Sequence, residues 1–244
     1  MSVLKGEGKV PILFGSTSIA AGNPTLGGYL ARPDLQGEWP TIIVVSSAFG
    51  LTSNVKDLVR KLAREGFAVV APDLYRGQKP PRFPDAGAAE AAFSRLDQRP
   101  VRDLLAIASF IRNPAGFFSN AERGAGMFVI GTGAEAGITA AAQIGPAAMA
   151  VAYPVGIAGE NMLQRLGAVG TTPLLGLVGR DDDRVTLDDV AAARRVAPQS
   201  EWVVYDATGH DFLDDGQPDY ERGTAMDAIS RIAGFFEKHL PPMA

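Results

Sequence analysis

Cysteine is absent from this chain of 244 residues, and histidine occurs only twice. The first absence excludes disulfides, thiolate metal sites and cysteine nucleophiles, and two imidazoles are too few to suggest a histidine-rich metal centre. No run approaches the roughly 18 uninterrupted apolar residues of a membrane span, and the opening Met1-Ser2-Val3-Leu4-Lys5-Gly6 has no apolar signal core. Positive charge is not in excess either. Lys and Arg number 23 against 27 Asp and Glu, a formal net charge of −4. Such a balance supplies no basic stripe for phosphates, so nucleic acid is not an expected partner. A phosphate-cradling lysine loop is missing, and Gly131-Thr132-Gly133 lacks the acidic ribose partner expected about 20 residues later. No cofactor or metal is expected. The remaining expectation is a cytoplasmic protein acting on a small molecule, away from membranes, with its oligomeric state unread.

What the chain does contain is a 46% hydrophobic composition punctuated by 28 Gly and 17 Pro. Short apolar runs alternate with segments of helical period. Strands are read at 28–31, 41–45, 67–71, 127–130, 149–153, 174–178 and 202–205. Between them, residues 53–65 carry Val55, Leu58, Val59 and Leu62 at i, i+3, i+4 and i+7, with Gly66 as a stop. Further helices are read at 101–112, after Gly131, at 187–196 and at 220–239, and a Pro- and Arg-rich loop at 76–84. Continuous β-branched strands joined by helices imply a mainly parallel sheet covered on both faces. The expected class is therefore a three-layer α/β fold, one domain over 1–244 with no separate cap domain. Chemistry in that architecture collects at the carboxyl ends of the strands.

His239 ends the last helix, where a cation complements the helix dipole. His210 lies instead in Tyr205-Asp206-Ala207-Thr208-Gly209-His210-Asp211-Phe212, a loop past a buried strand. A carboxylate at the end of the preceding strand could fix its tautomer and leave the other nitrogen as a base. The run Gly179-Arg180-Asp181-Asp182-Asp183-Arg184-Val185 offers three aspartates, which cannot all point inward. Just beyond, Thr186 and Asp189 read as a capping box. A nucleophile elbow would have the form G-x-nucleophile-x-G between strand and helix. Counting from Gly131, directly after the strand, the central position is Gly133, which carries no side chain. Counting from Gly133, it is Glu135. The first frame is preferred because it follows the strand at once.

In order along the chain, Leu30-Ala31-Arg32-Pro33, Ile43-Val44-Val45-Ser46-Ser47-Ala48-Phe49-Gly50-Leu51 and Gly66-Phe67-Ala68-Val69-Val70-Ala71-Pro72-Asp73-Leu74-Tyr75 resemble the dienelactone hydrolase family of the α/β-hydrolase fold. The likeness continues through the Gly131 segment, Ala152-Tyr153, Gly179-x-x-Asp182 and Gly209-His210-x-Phe212, covering nearly all the chain from about residue 25. The resemblance implies His210 as catalytic base, Asp182 as its acid, and backbone amides of Ala48 and Ala134 as an oxyanion hole. Two departures stand out. The family's cysteine or serine nucleophile is replaced by Gly133, and its glutamate before the Ala48 position by Ser47. The implied activity is hydrolysis of a small ester or lactone without the standard nucleophile, water or a displaced hydroxyl (Ser47 first, then Ser46 or Thr132) taking its place. A His–Asp base beside an oxyanion hole could equally serve an isomerase, lyase or cyclase, and a non-catalytic ligand-binding protein is the third alternative. Phe49, Tyr153 and Phe212 are expected as apolar substrate walls, and Arg82 as a group that meets a substrate anion.

Overall fold

The middle of the sheet is written in the alternation of β4 (Thr41–Val45): Ile42 and Val44 join the apolar layer on one face, Ile43 and Val45 the layer on the other, all fully buried. A computed structural model describes residues 2–4, 8–19, 25–82, 84–112 and 124–240. In it, β4 pairs in parallel with β5 (Ala68–Pro72) and β6 (Ala125–Ile130), and the parallel set continues through β7 (Ala148–Ala152), β8 (Leu174–Gly179) and β9 (Ser200–Tyr205). Three antiparallel strands, β1 (Ser2–Leu4), β2 (Ile12–Ile19) and β3 (Leu26–Pro33), extend the β5 edge. The nine-stranded order is β1-β2-β3-β5-β4-β6-β7-β8-β9.

Helices cover both faces, as the strand pattern requires. On one lie α1 (Ser53–Arg64) and α7 (Arg222–His239); on the other, α3 (Arg99–Arg112), α4 (Ala134–Ile144), α5 (Glu160–Ala168) and α6 (Leu187–Val196). Helix α1 starts because the Thr52 hydroxyl accepts from the Val55 amide, and it buries Val55, Leu58, Val59 and Leu62. Each such side chain contributes roughly 1.5–3 kcal/mol on burial. The expected capping box opens α6: Thr186 and Asp189 satisfy each other's amides. The three-layer, mainly parallel architecture matches the sequence reading, and no separate cap is evident among the described residues. Four elements were not anticipated: β1, β2, α5 and α2 (Ala86–Ser94). Helix α2 has only Ala89 buried and so carries no apolar stripe to read. No helix among the described residues is long and apolar enough to cross a membrane.

Candidate active site

At the carboxyl end of β8 the three aspartates separate as their solvation demands: Asp181 and Asp183 are exposed, while the Asp182 side chain is fully buried. A buried carboxylate is tolerable only when its lone pairs are filled. One oxygen of Asp182 accepts from the amides of Arg184 (2.8 Å) and Val185 (2.9 Å). The other meets Nδ1 of His210 at 2.8 Å. That contact sets the ring's orientation and directs a proton to Nδ1, leaving Nε2 with a free lone pair. The approach of the two loops depends on Gly179. A Cβ there would overlap the carbonyl oxygens of Thr208 and Gly209, so only glycine lets the β9–α7 loop settle on the end of β8. The amide of Asp181 then reaches the Thr208 carbonyl at 3.0 Å.

Behind His210 stands Tyr153, whose ring meets the imidazole edge-on with centroids 5.0 Å apart. Phe212 packs edge-on against Tyr153 with centroids 5.2 Å apart. Both aromatics are essentially inaccessible, at 1% and 0% exposure. They form the wall that holds the histidine, rather than the substrate-facing surface expected of them. Burial pushes the Tyr153 phenol well above its ordinary pKa, so it stays protonated at neutral pH.

The strand-to-helix turn after β6 corrects both proposed frames. The left-handed residue is Gly131, with φ +52°. Gly133 is right-handed, with φ −67° and ψ −9°, and Glu135 lies in the first turn of α4. Glu135 is 73% exposed and paired with Arg165 at 3.3 Å. The physical reason is crowding against β4. A Cβ on Gly133 would overlap the carbonyl oxygen of Ser46, so this glycine marks where the turn presses on the neighbouring strand. A Cβ on Gly131 would meet only ordinary contacts, the Ser47 Cβ and the Tyr153 ring edge at 3.5 Å. The Ala134 amide, expected as an oxyanion donor, is already spent on the Gly131 carbonyl. The Ala48 amide donates instead to the Thr132 hydroxyl at 2.7 Å.

Ser47, Ala48, Thr132, His210, Asp211 and Arg184 line one small pocket, with Phe49, Ala86 and Glu90 completing it. Its volume is about 10 Å³, close to the minimum that holds one water. An ion pair between Arg184 and Glu90, 2.6 Å, ties α2 to the β8 loop across it. Thr132 and Glu90 also border a groove of about 560 Å³, and Phe49 borders one of about 850 Å³ on the other side. Arg82 lines that larger groove and does not reach the His210 pocket. The Ser47 hydroxyl makes only a long 3.5 Å contact with the Phe49 amide. Ser46 is buried, and its hydroxyl has no partner among the described residues. Asp211 was not singled out in the sequence. Its carboxylate lies 3.8 Å from Nε2 of His210, and burial raises its pKa above the usual carboxylate value. The available signal was its place directly after the candidate base. Nothing in an Asp-rich loop shows which acid turns inward.

Known proteins resemble this chain over most of its length. The sequence profile of the dienelactone hydrolase family matches residues 26–240. The "Carboxymethylenebutenolidase" of Rhodococcus opacus is 31% identical over 224 residues, covering 87% of this chain and 86% of that protein. The "Putative carboxymethylenebutenolidase" of Escherichia coli K12 is 28% identical over 244 residues, covering 93% of this chain and 88% of that protein. Among solved structures, a "Putative Dienelactone Hydrolase" from Klebsiella pneumoniae superposes with a TM-score of 0.80 at 27% identity. It covers 93% of this chain and 99% of its own.

Proposed function

Because the chain belongs to the dienelactone hydrolase family, whose α/β-hydrolase fold it shares, we propose that it hydrolyses a small ester or lactone with water as the nucleophile, His210 as base and Asp182 as the residue that orients it. The observation that carries this reading is the 2.8 Å contact of His210 Nδ1 with a fully buried carboxylate, which leaves Nε2 at a water-sized pocket. The left-handed Gly131 stands where the strand-turn-helix arrangement would otherwise present a nucleophile. It offers no side chain, so the attacking atom must come from elsewhere. Ser47 borders the same pocket but makes no hydrogen bond with His210 among the described residues.

In this reading the water oxygen attacks the acyl carbon and Nε2 takes the proton released. The carbonyl π pair moves onto oxygen, where the amides of Ala48 and of Thr132, which takes the place of Ala134 as the residue directly after Gly131, stabilise it. Collapse breaks the bond to the leaving alkoxide, which recovers the proton from Nε2. The Thr132 hydroxyl occupies the Ala48 amide at rest and has to rotate away to admit the carbonyl oxygen. Asp182 keeps the imidazolium paired during attack.

The test is hydrolysis of 4-nitrophenyl acetate and of unsaturated lactones by the wild type and by His210→Ala. A positioned base is worth about 10²–10⁴ in rate, so His210→Ala should lose at least about 100-fold in kcat/KM. Equal rates in the two proteins, or no turnover by either, would overturn the hydrolytic reading.

A further inference from the structure

Asp211 occupies an expensive position. Its backbone is left-handed at φ +55°, a conformation that non-glycine residues hold at a cost and that clusters at functional sites. The side chain is 22% exposed and borders the His210 pocket. Among the described residues, no hydrogen-bond donor reaches its carboxylate; Nε2 of His210 stands off at 3.8 Å. Neither oxygen is sealed off as a buried unpartnered atom, so water, rather than a protein donor, is what this carboxylate binds. The separation from Nε2 is too long for a direct hydrogen bond and short enough for one water to touch both groups. The pocket between them, about 10 Å³, is of the size that one water needs.

We propose that Asp211 is a second catalytic residue: its carboxylate and Nε2 of His210 together hold the water that attacks the acyl carbon. This rests on the hydrolytic reading above and assigns the part left open by Gly131. One water hydrogen points at Nε2 and is transferred there during attack. The other is held by Asp211, which turns the oxygen's lone pair toward the acyl carbon. After collapse the second hydrogen remains on the product carboxylic acid and is lost to solvent, while the leaving alkoxide takes the proton from Nε2. Ionised, Asp211 accepts that bond far more strongly than its protonated form does. The groups facing it are His210 and Arg184, which favour its charged form, Asp182 and Asp214, which oppose it, and Glu90 across the pocket.

The experiment uses the full chain, 4-nitrophenyl acetate as probe, and kcat/KM followed against pH. Asp211→Asn keeps the volume and tolerates a left-handed backbone, but cannot accept as a carboxylate does. It should lose about 10–100-fold in kcat/KM. Below both pKa values, log kcat/KM should fall with slope two in the wild type, where His210 and Asp211 both lose protons, and with slope one in Asp211→Asn. Asp211→Gly, which relieves the backbone strain, should be equally impaired and partly rescued by added formate, while His210→Ala gains nothing from it. A wild-type rate and an unchanged slope in Asp211→Asn, with His210→Ala inactive, would overturn the role of Asp211 and leave the His210 mechanism standing. If the wild type is no faster than His210→Ala, both fall together.

Discussion

Alanine at Gly131 and alanine at Gly133 should have opposite kinds of cost, and the contrast tests the whole construction of the turn. At Gly131 the obstacle is conformational. With φ at +52°, a side chain costs about 1–2 kcal/mol, while the new Cβ finds ordinary contacts at 3.5 Å. A chain of this size loses about 2–4 °C in Tm per kcal/mol, so Gly131→Ala should melt roughly 2–8 °C lower and remain folded. At Gly133 the backbone is already helical and alanine would be welcome on propensity alone. The Cβ, however, falls on the Ser46 carbonyl oxygen, with the Ser46 carbonyl carbon at 3.2 Å and Val45 Cγ1 at 3.3 Å. A backbone oxygen cannot retreat without shifting β4, so Gly133→Ala should cost more than about 3 kcal/mol. Thermal melts followed by circular dichroism measure both. Gly131→Ser carries the same conformational penalty as the alanine and adds a hydroxyl beside the His210 site. It should react with a fluorophosphonate at residue 131, seen by mass spectrometry, and should release nitrophenol in a burst. A stable Gly133→Ala beside an unfolded Gly131→Ala would refute the placement of the turn. A folded Gly131→Ser that is never labelled would refute the idea that the reacting carbon is brought to this point.

The other predictions concern the groups around the turn. Asp182→Asn replaces an acceptor of two amides with a carboxamide that cannot serve both those donors and Nδ1 with either of its rotamers; at least about a 100-fold loss in kcat/KM is expected from misdirecting the imidazole, and near-wild-type turnover would contradict it. Because the folded state raises the Asp211 pKa, it binds that proton more tightly than the unfolded chain does. Stability is therefore lost as pH rises from the unfolded value of 3.8 through the raised folded value. Asp211→Asn should accordingly melt above the wild type at neutral pH, the gap closing near the unfolded value; a constant gap would contradict the linkage. Glu90→Gln weakens the 2.6 Å pair with Arg184 that spans the pocket. If substrate enters from the groove beside Thr132, kcat/KM should rise several-fold with little change in Tm, since partly exposed pairs contribute about 0–1 kcal/mol.

Much of the scaffold and one part of the site were open to reading without coordinates. Strands such as β4 announce burial on both faces through unbroken β-branched runs, and α1 through its spacing of Val55, Leu58, Val59 and Leu62. His210 stood out by scarcity and by its place after a strand, and Asp182 by resemblance to the family. Where local signals are weak, nothing in the sequence marks the element. Helix α2 buries a single alanine, and α5 is a nine-residue helix with Gly159 before it and Gly167 within it. Composition and local periodicity thus determined the layers, their order along the chain and the loops that carry His210 and Asp182. The phase of the turn was decided only by tertiary structure. Gly131, Gly133 and Gly137 are interchangeable as letters, and what distinguishes them is the Ser46 carbonyl against Gly133, the Val129 side chain against Gly137, and only ordinary contacts around the left-handed Gly131. The inward turn of Asp211 was decided in the same way. Three-dimensional packing selects which of several chemically similar residues loses its water, and that choice depends on neighbours far away in the chain.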